Sequence, residues 1–440
     1  MDGGALEAAG AQGDRADGHV VRCGRRTVDA RRRDRTRHHR SLVPHAWRRH
    51  PDAPSPHRLR RAREQHHRAR AGPRRPRDRR LRGAAAGRFP AFARHDLPEL
   101  GYERSRREPD WAARSCRVAG RHDEVDLHTF QVGGWYGIFS QGTLDNFTAM
   151  RRAGRSGTLI MGPWAHTSWQ HVVGDVSFGF GANSEFMGMR GRMHDMQFEW
   201  FQRTIGDGQA LEPDTGQVLL FVMGINQWRE EIEWPLSRAV DTDFHLRAYA
   251  RLTPVPPSTA EQPEEFTYDP MDPVPTTGGA LLMSDEFRPG PLDQTAVEAC
   301  EDVLVLTTEP LAEDVEVTGR VRAVLIAATD GLSTDWVARL CHVDEHGVSR
   351  NVADGVVRVR AATPGEVAEH VVDLWSTSIV FRAGHRIRVH VTSSNFPRWD
   401  RNLNTGEPEE SATTARMARQ HIFHDSARPS RIVLPVVPAR

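Results

Sequence analysis

A chain of 440 residues has room for two or three domains, and its formal net charge of +1 conceals a seam. All 59 basic residues are Arg; 31 of them, against 14 acidic residues, fall in residues 1–120, so formal charge is +17 before the seam and −16 after it. No apolar run approaches the ~18 residues needed to cross a bilayer and no apolar leader opens the chain, which argues against a membrane-spanning helix and sets the expectation of a cytoplasmic protein.

Residues 1–120 contain no Ile and only scattered Leu, Val, Phe and Trp, too few to offset the entropy of ordering a core. Runs such as Arg31-Arg32-Arg33-Asp34-Arg35 and Arg74-Arg75-Pro76-Arg77-Asp78-Arg79-Arg80 carry neither a 3.6 nor a 2.0 hydrophobic period, so a disordered basic segment is expected. Such a polycation can neutralise phosphates, yet nucleic acid is the weakest of the partner readings. The preferred reading is GC-rich DNA translated out of frame, which accumulates Arg, Ala, Gly, Pro and His. Cys23, Cys116, Cys300 and Cys341 lie far apart with no CxxC pair, which argues against a zinc site or a disulfide framework. No metal or cofactor is expected.

After the seam, Thr129-Phe130-Gln131-Val132 is a strand candidate ended by Gly133-Gly134. Gly142 to Arg152 places Leu144, Phe147, Thr148 and Met150 at spacings that suit one helix face, and Thr158-Leu159-Ile160-Met161 is a second strand between Gly157 and Gly162. This is a βαβ pattern of a parallel sheet, where chemistry sits beyond the carboxyl ends of the strands. His166 follows such an end, and spacing alone leaves it open whether it is catalytic or structural. Met193, Met196, Trp200 and Phe201 recur at helical spacing, with Phe198 on a neighbouring face, and that stripe is expected to be core.

From Val218-Leu219-Leu220-Phe221-Val222 onward, short β-rich runs alternate with turns: Val315 to Gly319, Arg322 to Ile326, Val356 to Val359 and Ile387 to Val391. They predict an antiparallel sandwich. Tyr268-Asp269-Pro270-Met271-Asp272-Pro273-Val274-Pro275-Thr276 is too rich in proline for a central strand and is expected to be an ordered connecting loop.

Three stretches, Gly133-Gly134-Trp135-Tyr136-Gly137-Ile138-Phe139, Gly142-Thr143-Leu144-Asp145-Asn146-Phe147 and Gly162-Pro163-Trp164-Ala165-His166, resemble the cocaine-esterase/NonD family of α/β-hydrolases, relatives of the X-Pro dipeptidyl-peptidases and α-amino-acid ester hydrolases. Asn226-Gln227-Trp228-Arg229, Glu233-Trp234-Pro235-Leu236, Thr334-Asp335-Trp336 and Ser393-Ser394-Asn395-Phe396-Pro397-Arg398 resemble its C-terminal jelly-roll domain. The resemblance implies an α/β plus all-β chain: an incomplete α/β-hydrolase sheet over 121–212 and a jelly-roll β-sandwich over 213–440, after a basic segment at 1–120. It implies a serine hydrolase cleaving an ester, amide or peptide through an acyl-serine, with His166 as the triad His. Such a His takes the Ser proton, returns it to the leaving group, and needs a carboxylate to hold its ring.

The sequence departs from the family at two places. The triad Asp position is Gly137; Asp126 precedes the strand and Asp145 falls within the helix, so neither is a substitute. No Gly-x-Ser-x-Gly elbow occurs in the chain, and Ser41, Ser55, Ser105 and Ser115 lie in Arg- and Pro-rich or irregular sequence, so no nucleophile is nominated. A weakened or inactive enzyme is expected, with a non-catalytic module built on the sandwich as the alternative. Asp335, Arg398, Asp400 and Asn402 are expected to pin loops rather than touch substrate. Trp228 and Trp234 are expected at the contact with the catalytic domain, on a surface left partly uncovered and prone to aggregate.

Overall fold

The computed structural model describes residues 118–205, 218–282, 287–408 and 412–438. All belong to one of the chain's two units, Pro76–Arg440. The expected disordered basic segment, its serines and the 212/213 boundary lie outside the described residues, apart from Val118 to Gly120.

The first layer is a four-stranded sheet. β1 (Thr129–Tyr136) is followed by α1 (Ser140–Arg152) and β2 (Gly157–Ala165), and β2 runs parallel to β1, as the hydrophobic pattern predicts. The glycines expected to end the first strand lie within it instead. A Cβ on Gly134 would meet the Trp164 carbonyl oxygen at 2.3 Å, so the missing side chain lets β1 continue beside the end of β2. Leu144, Phe147 and Met150 of α1 are buried.

A small hairpin, β3 (Val172–Val173) and β4 (Val176–Ser177), precedes α2 (Met193–Ile205). Here the expectation of a core stripe fails: only Met193 is buried, and Phe198, Phe201 and Ile205 are exposed. Met196 and Trp200 are half-buried, Met196 against the cluster of Ile160, Trp164 and Leu219 and Trp200 edge-on to Phe130, so the stripe is covered at its start and left open at Phe201.

β5 (Val218–Val222) and β6 (Gln227–Glu231), placed by the sequence at the head of the second domain, join the first sheet in the order β1-β2-β5-β6. β5 is parallel to β2 and buried at every residue, which is what an unbroken apolar run needs when both faces are covered.

The second layer comprises β7 (Val240–Arg247), β8 (Arg251–Thr253), β9 (Glu264–Tyr268), the short helix α3 (Thr295–Glu298) and β10 (Leu304–Thr307). Then come β11 (Val315–Thr329), β12 (Thr334–Val343), β13 (Ser349–Val359), β14 (Ala368–Phe381), β15 (Arg386–Thr392), β16 (Ala418–Phe423) and β17 (Arg431–Val437). Their order is β13-β12-β15-β10-β8-β7-β17-β11-β16-β9, with β14 on the opposite edge of β11. The two runs expected at Val315 and Arg322 are one strand, β11, bent by a register shift between Arg320 and Arg322.

The array closes on itself as the jelly-roll sandwich. β13 crosses β14 so closely that a Cβ on Gly355 would sit 1.9 Å from the Asp373 carbonyl oxygen. The proline-rich stretch is a connecting loop, as expected, tied by Thr276 N–H to the Phe396 carbonyl at 2.8 Å.

The sheet and the sandwich are knitted by backbone as well as side chains. Met223 N–H donates to the Ser378 carbonyl at 3.0 Å, and Val380 N–H donates to the Met223 carbonyl at 2.8 Å. Trp135 Nε1 donates to the Phe221 carbonyl at 2.8 Å, fixing β1 against β5. The backbone N–H and hydroxyl of Ser376 both donate to Gln141 Oε1. No described helix is long and apolar enough to cross a membrane.

Candidate active site

The parallel register builds the site. Tyr136 of β1 stands opposite Ala165 of β2, so Gly137 and His166 each follow the last paired residue of their strands at the carboxyl end of the sheet. The chain turns there: Gly137 N–H donates to the Gly134 carbonyl at 2.8 Å, and Ser140 N–H donates to the Gly137 carbonyl at 3.1 Å as α1 begins.

Gly137 is buried, and its φ lies outside the left-handed region. A Cβ there would meet the Gly134 carbonyl oxygen at 3.1 Å, so a side chain fits after a shift of a few tenths of an ångström. The backbone does not require glycine. His166 is half-buried and packs edge-on against Phe139, ring centroids 5.1 Å apart. Among the described residues no side chain hydrogen-bonds the His166 ring, so none of them fixes which nitrogen carries the proton.

The other carboxylates are elsewhere, as the sequence implies. Asp126 pairs with Arg155 at 2.9 Å near the amino end of β1. Asp145 accepts from Gln141 Nε2 at 2.7 Å and pairs with Arg320 at 3.3 Å.

The floor is aromatic. Trp164 is 1% exposed, donates from Nε1 to the Ala182 carbonyl at 2.7 Å, and stacks on Trp169. Trp228 and Trp234 correct the expectation of uncovered surface. Trp228 packs against Trp164 and Phe221, Trp234 packs against Trp135, and Trp234 is buried. The exposed apolar face belongs to α2 instead.

Beside Tyr136 and Ser140 a small cleft opens against the sandwich, where Trp375, Asp354 and Arg398 line the opposite wall. Arg398 is ion-paired with Asp354 and lies over the Trp399 ring, 4.5 Å from its centroid. The sequence reading named Arg398 only as a loop pin and missed Asp354 and Trp375, whose place in the cleft comes from strand crossing and leaves no local signal. Asp335 and Asn402 do pin loops. Buried Asp335 accepts from Arg358 Nη2 at 2.7 Å and Asn402 Nδ2 at 3.0 Å, and Arg358 also donates to the Asp400 carbonyl.

The comparisons with known proteins fit this geometry. The family model described as X-Pro dipeptidyl-peptidase (S15 family) matches residues 30–168, and the X-Pro dipeptidyl-peptidase C-terminal non-catalytic domain matches residues 213–433. Cocaine esterase of Rhodococcus sp. (strain MB1 Bresler) is 36% identical over 329 residues, which is 70% of this chain and 56% of that protein. Among solved structures, an α-amino acid ester hydrolase is similar with a TM-score of 0.70 at 26% identity, over 81% of this chain and 63% of that one. An aminopeptidase from a marine sediment archaeon, Thaumarchaeota archaeon, shares the fold with a TM-score of 0.70 at 24% identity, over 84% of this chain and 65% of that one. The chain thus spans 56% of the length of the esterase it matches. It belongs to the cocaine-esterase/NonD family of α/β-hydrolases, serine hydrolases of the cocaine esterase and X-Pro dipeptidyl-peptidase type.

Proposed function

We infer that this protein is an acyl-serine hydrolase of esters, amides or small peptides in which the proton-shuttling half of the site is impaired. The observation that supports the reading is the register: Tyr136 pairs with Ala165 at the carboxyl ends of parallel β1 and β2, so a carboxylate at the next position, 137, is expected to face the imidazole of His166. His166 is the general acid and base. Without a carboxylate to hold its tautomer and stabilise its charged form, turnover falls on the order of 10⁴-fold in the protease precedent. The names of the relatives, an esterase, an ester hydrolase and an aminopeptidase, support ester or amide acyl transfer as the chemistry.

A second reading, a non-catalytic module built on the sandwich, is favoured by one observation: no Gly-x-Ser-x-Gly occurs in the 440 residues. Fluorophosphonate labelling and p-nitrophenyl ester hydrolysis of the full chain separate the two. The hydrolase reading expects faint labelling that His166→Ala abolishes and Gly137→Asp increases by orders of magnitude. Absence of labelling in all three proteins leaves the binding module. Labelling indifferent to His166 overturns the assignment of the base.

A further inference from the structure

Trp336, Ala338 and Leu340 of β12 join the main core, so Arg339 and Cys341 lie on the strand's other face. Arg339 stands directly across from Asp354 of β13 and His390 of β15. Its side chain is 2% exposed. Nη1 donates to Gln294 Oε1 at 3.0 Å, while Nε and Nη2 are buried with no hydrogen-bond partner.

The neighbouring carboxylates are already committed. Asp354 Oδ2 lies 3.9 Å from Arg339 Nε and accepts from Asn395 Nδ2 at 3.1 Å, while Asp354 Oδ1 takes Arg398. Glu298 is bound to Arg388 at 2.6 Å and His390 at 3.0 Å. Among the described residues no other carboxylate lies within ion-pair reach of Arg339.

Three guanidinium groups, Arg339, Arg388 and Arg398, therefore share two carboxylates. Neither Cys341 nor His390 alters that balance at neutral pH, because burial pushes the thiol up to about 12 and the imidazole down to about 4. A guanidinium cannot shed its proton, and an unpaired ion in a protein interior is strongly unfavourable.

We propose that the free Nε–H and Nη2–H of Arg339 hold a small monovalent inorganic anion of the halide class, a buried counter-ion beside Gln294. Asp354 is then left to Arg398, so the ion also supports the pair that lines the cleft beside Tyr136.

Thermal unfolding of the full chain at constant ionic strength, with sodium chloride exchanged for sodium gluconate, tests the site. A ligand bound by the native state alone raises stability in a saturable way, so Tm is expected to be a few degrees higher in chloride and to level off with concentration. Arg339→Met keeps the apolar stem, removes the charge and is expected to lose this dependence. Should that variant fail to fold, crystals of the unaltered chain grown in sodium bromide provide the second readout, with an anomalous peak expected within hydrogen-bond reach of Arg339 Nε and Nη2. Equal Tm in the two salts, a chloride dependence that Arg339→Met retains, or a bromide map without that peak overturns the proposal.

Discussion

The carboxyl end of the parallel sheet and the loops of the sandwich treat polar side chains in opposite ways. In the sandwich, Asp335 takes Arg358 and Asn402, and Asn402 Oδ1 in turn accepts from Ser333 Oγ at 2.8 Å and Asn404 N–H at 2.9 Å. At the sheet, His166 lacks a hydrogen bond from any described side chain, and its neighbour in register has no side chain at all. A bonded polar network rigidifies a fold, whereas the described residues give the His166 imidazole no such bond. The contrast sets the sandwich loops, tied by bonded side chains, apart from a strand end whose described neighbours leave the imidazole unbonded.

Acid should break this contrast first and most severely, on the sandwich side. Burial lowers the pKa of His342 and of His390 to about 4. The unfolded chain takes up those protons near pH 6.5 and the folded chain refuses them, so stability falls as pH drops from about 6.5 to about 4. For Glu298, burial alone would raise the pKa, but hydrogen bonds from His390 and Arg388 more than reverse that and bring it to about 2. Its contribution is present above about pH 4.5 and is lost between there and about 2. Circular dichroism melts at pH 7, 5.5 and 4 are expected to show a steep fall in Tm, and His342→Gln should flatten the upper part. A Tm independent of pH between 7 and 4 contradicts the burial argument.

Next in size is Asp335→Ala, which removes the carboxylate that Arg358 and Asn402 both bond and is expected to cost about 3–5 kcal/mol in urea unfolding. A loss below about 1 kcal/mol would mean that the loops are held by something else. The smallest effect lies at the exposed end of α2, and there the sequence misleads. Met193→Ala should cost about 2–5 kcal/mol, while Phe201→Gln, on the same helix, should stay within about 0.5 kcal/mol. Comparable losses at both positions would show that the exposed face is covered in solution.

That helix shows why part of the fold escaped the sequence. Periodicity found β1, α1, β2 and the parallel relation between the strands, because buried Leu144, Phe147, Leu159 and Ile160 each report local geometry. It could not tell that only one residue of the Met193 to Phe201 stripe is buried, because cover is a long-range property. The same limit hid that β5 and β6 extend the first sheet, and it split β11 in two. For the candidate site, Gly137 and His166 were named through the family resemblance of their motifs, since strand-end spacing alone left His166 open. Their adjacency required the register, and the Asp354–Arg398 wall required knowing that β13 crosses β14.

The two backbone hydrogen bonds at Met223 have a consequence for how this protein comes apart. They continue the edge of one layer directly into the other, so covalent continuity between residues 231 and 240, where the chain passes from β6 to β7, is not what holds the layers together. A protease that cuts that connection is expected to leave two fragments that co-elute until denaturant is added. Expressed alone, the sandwich would offer the Ser378 carbonyl and the Val380 amide as a bare template for another strand, with self-association the outcome. The joint therefore tolerates a break in the chain better than it tolerates the loss of either half.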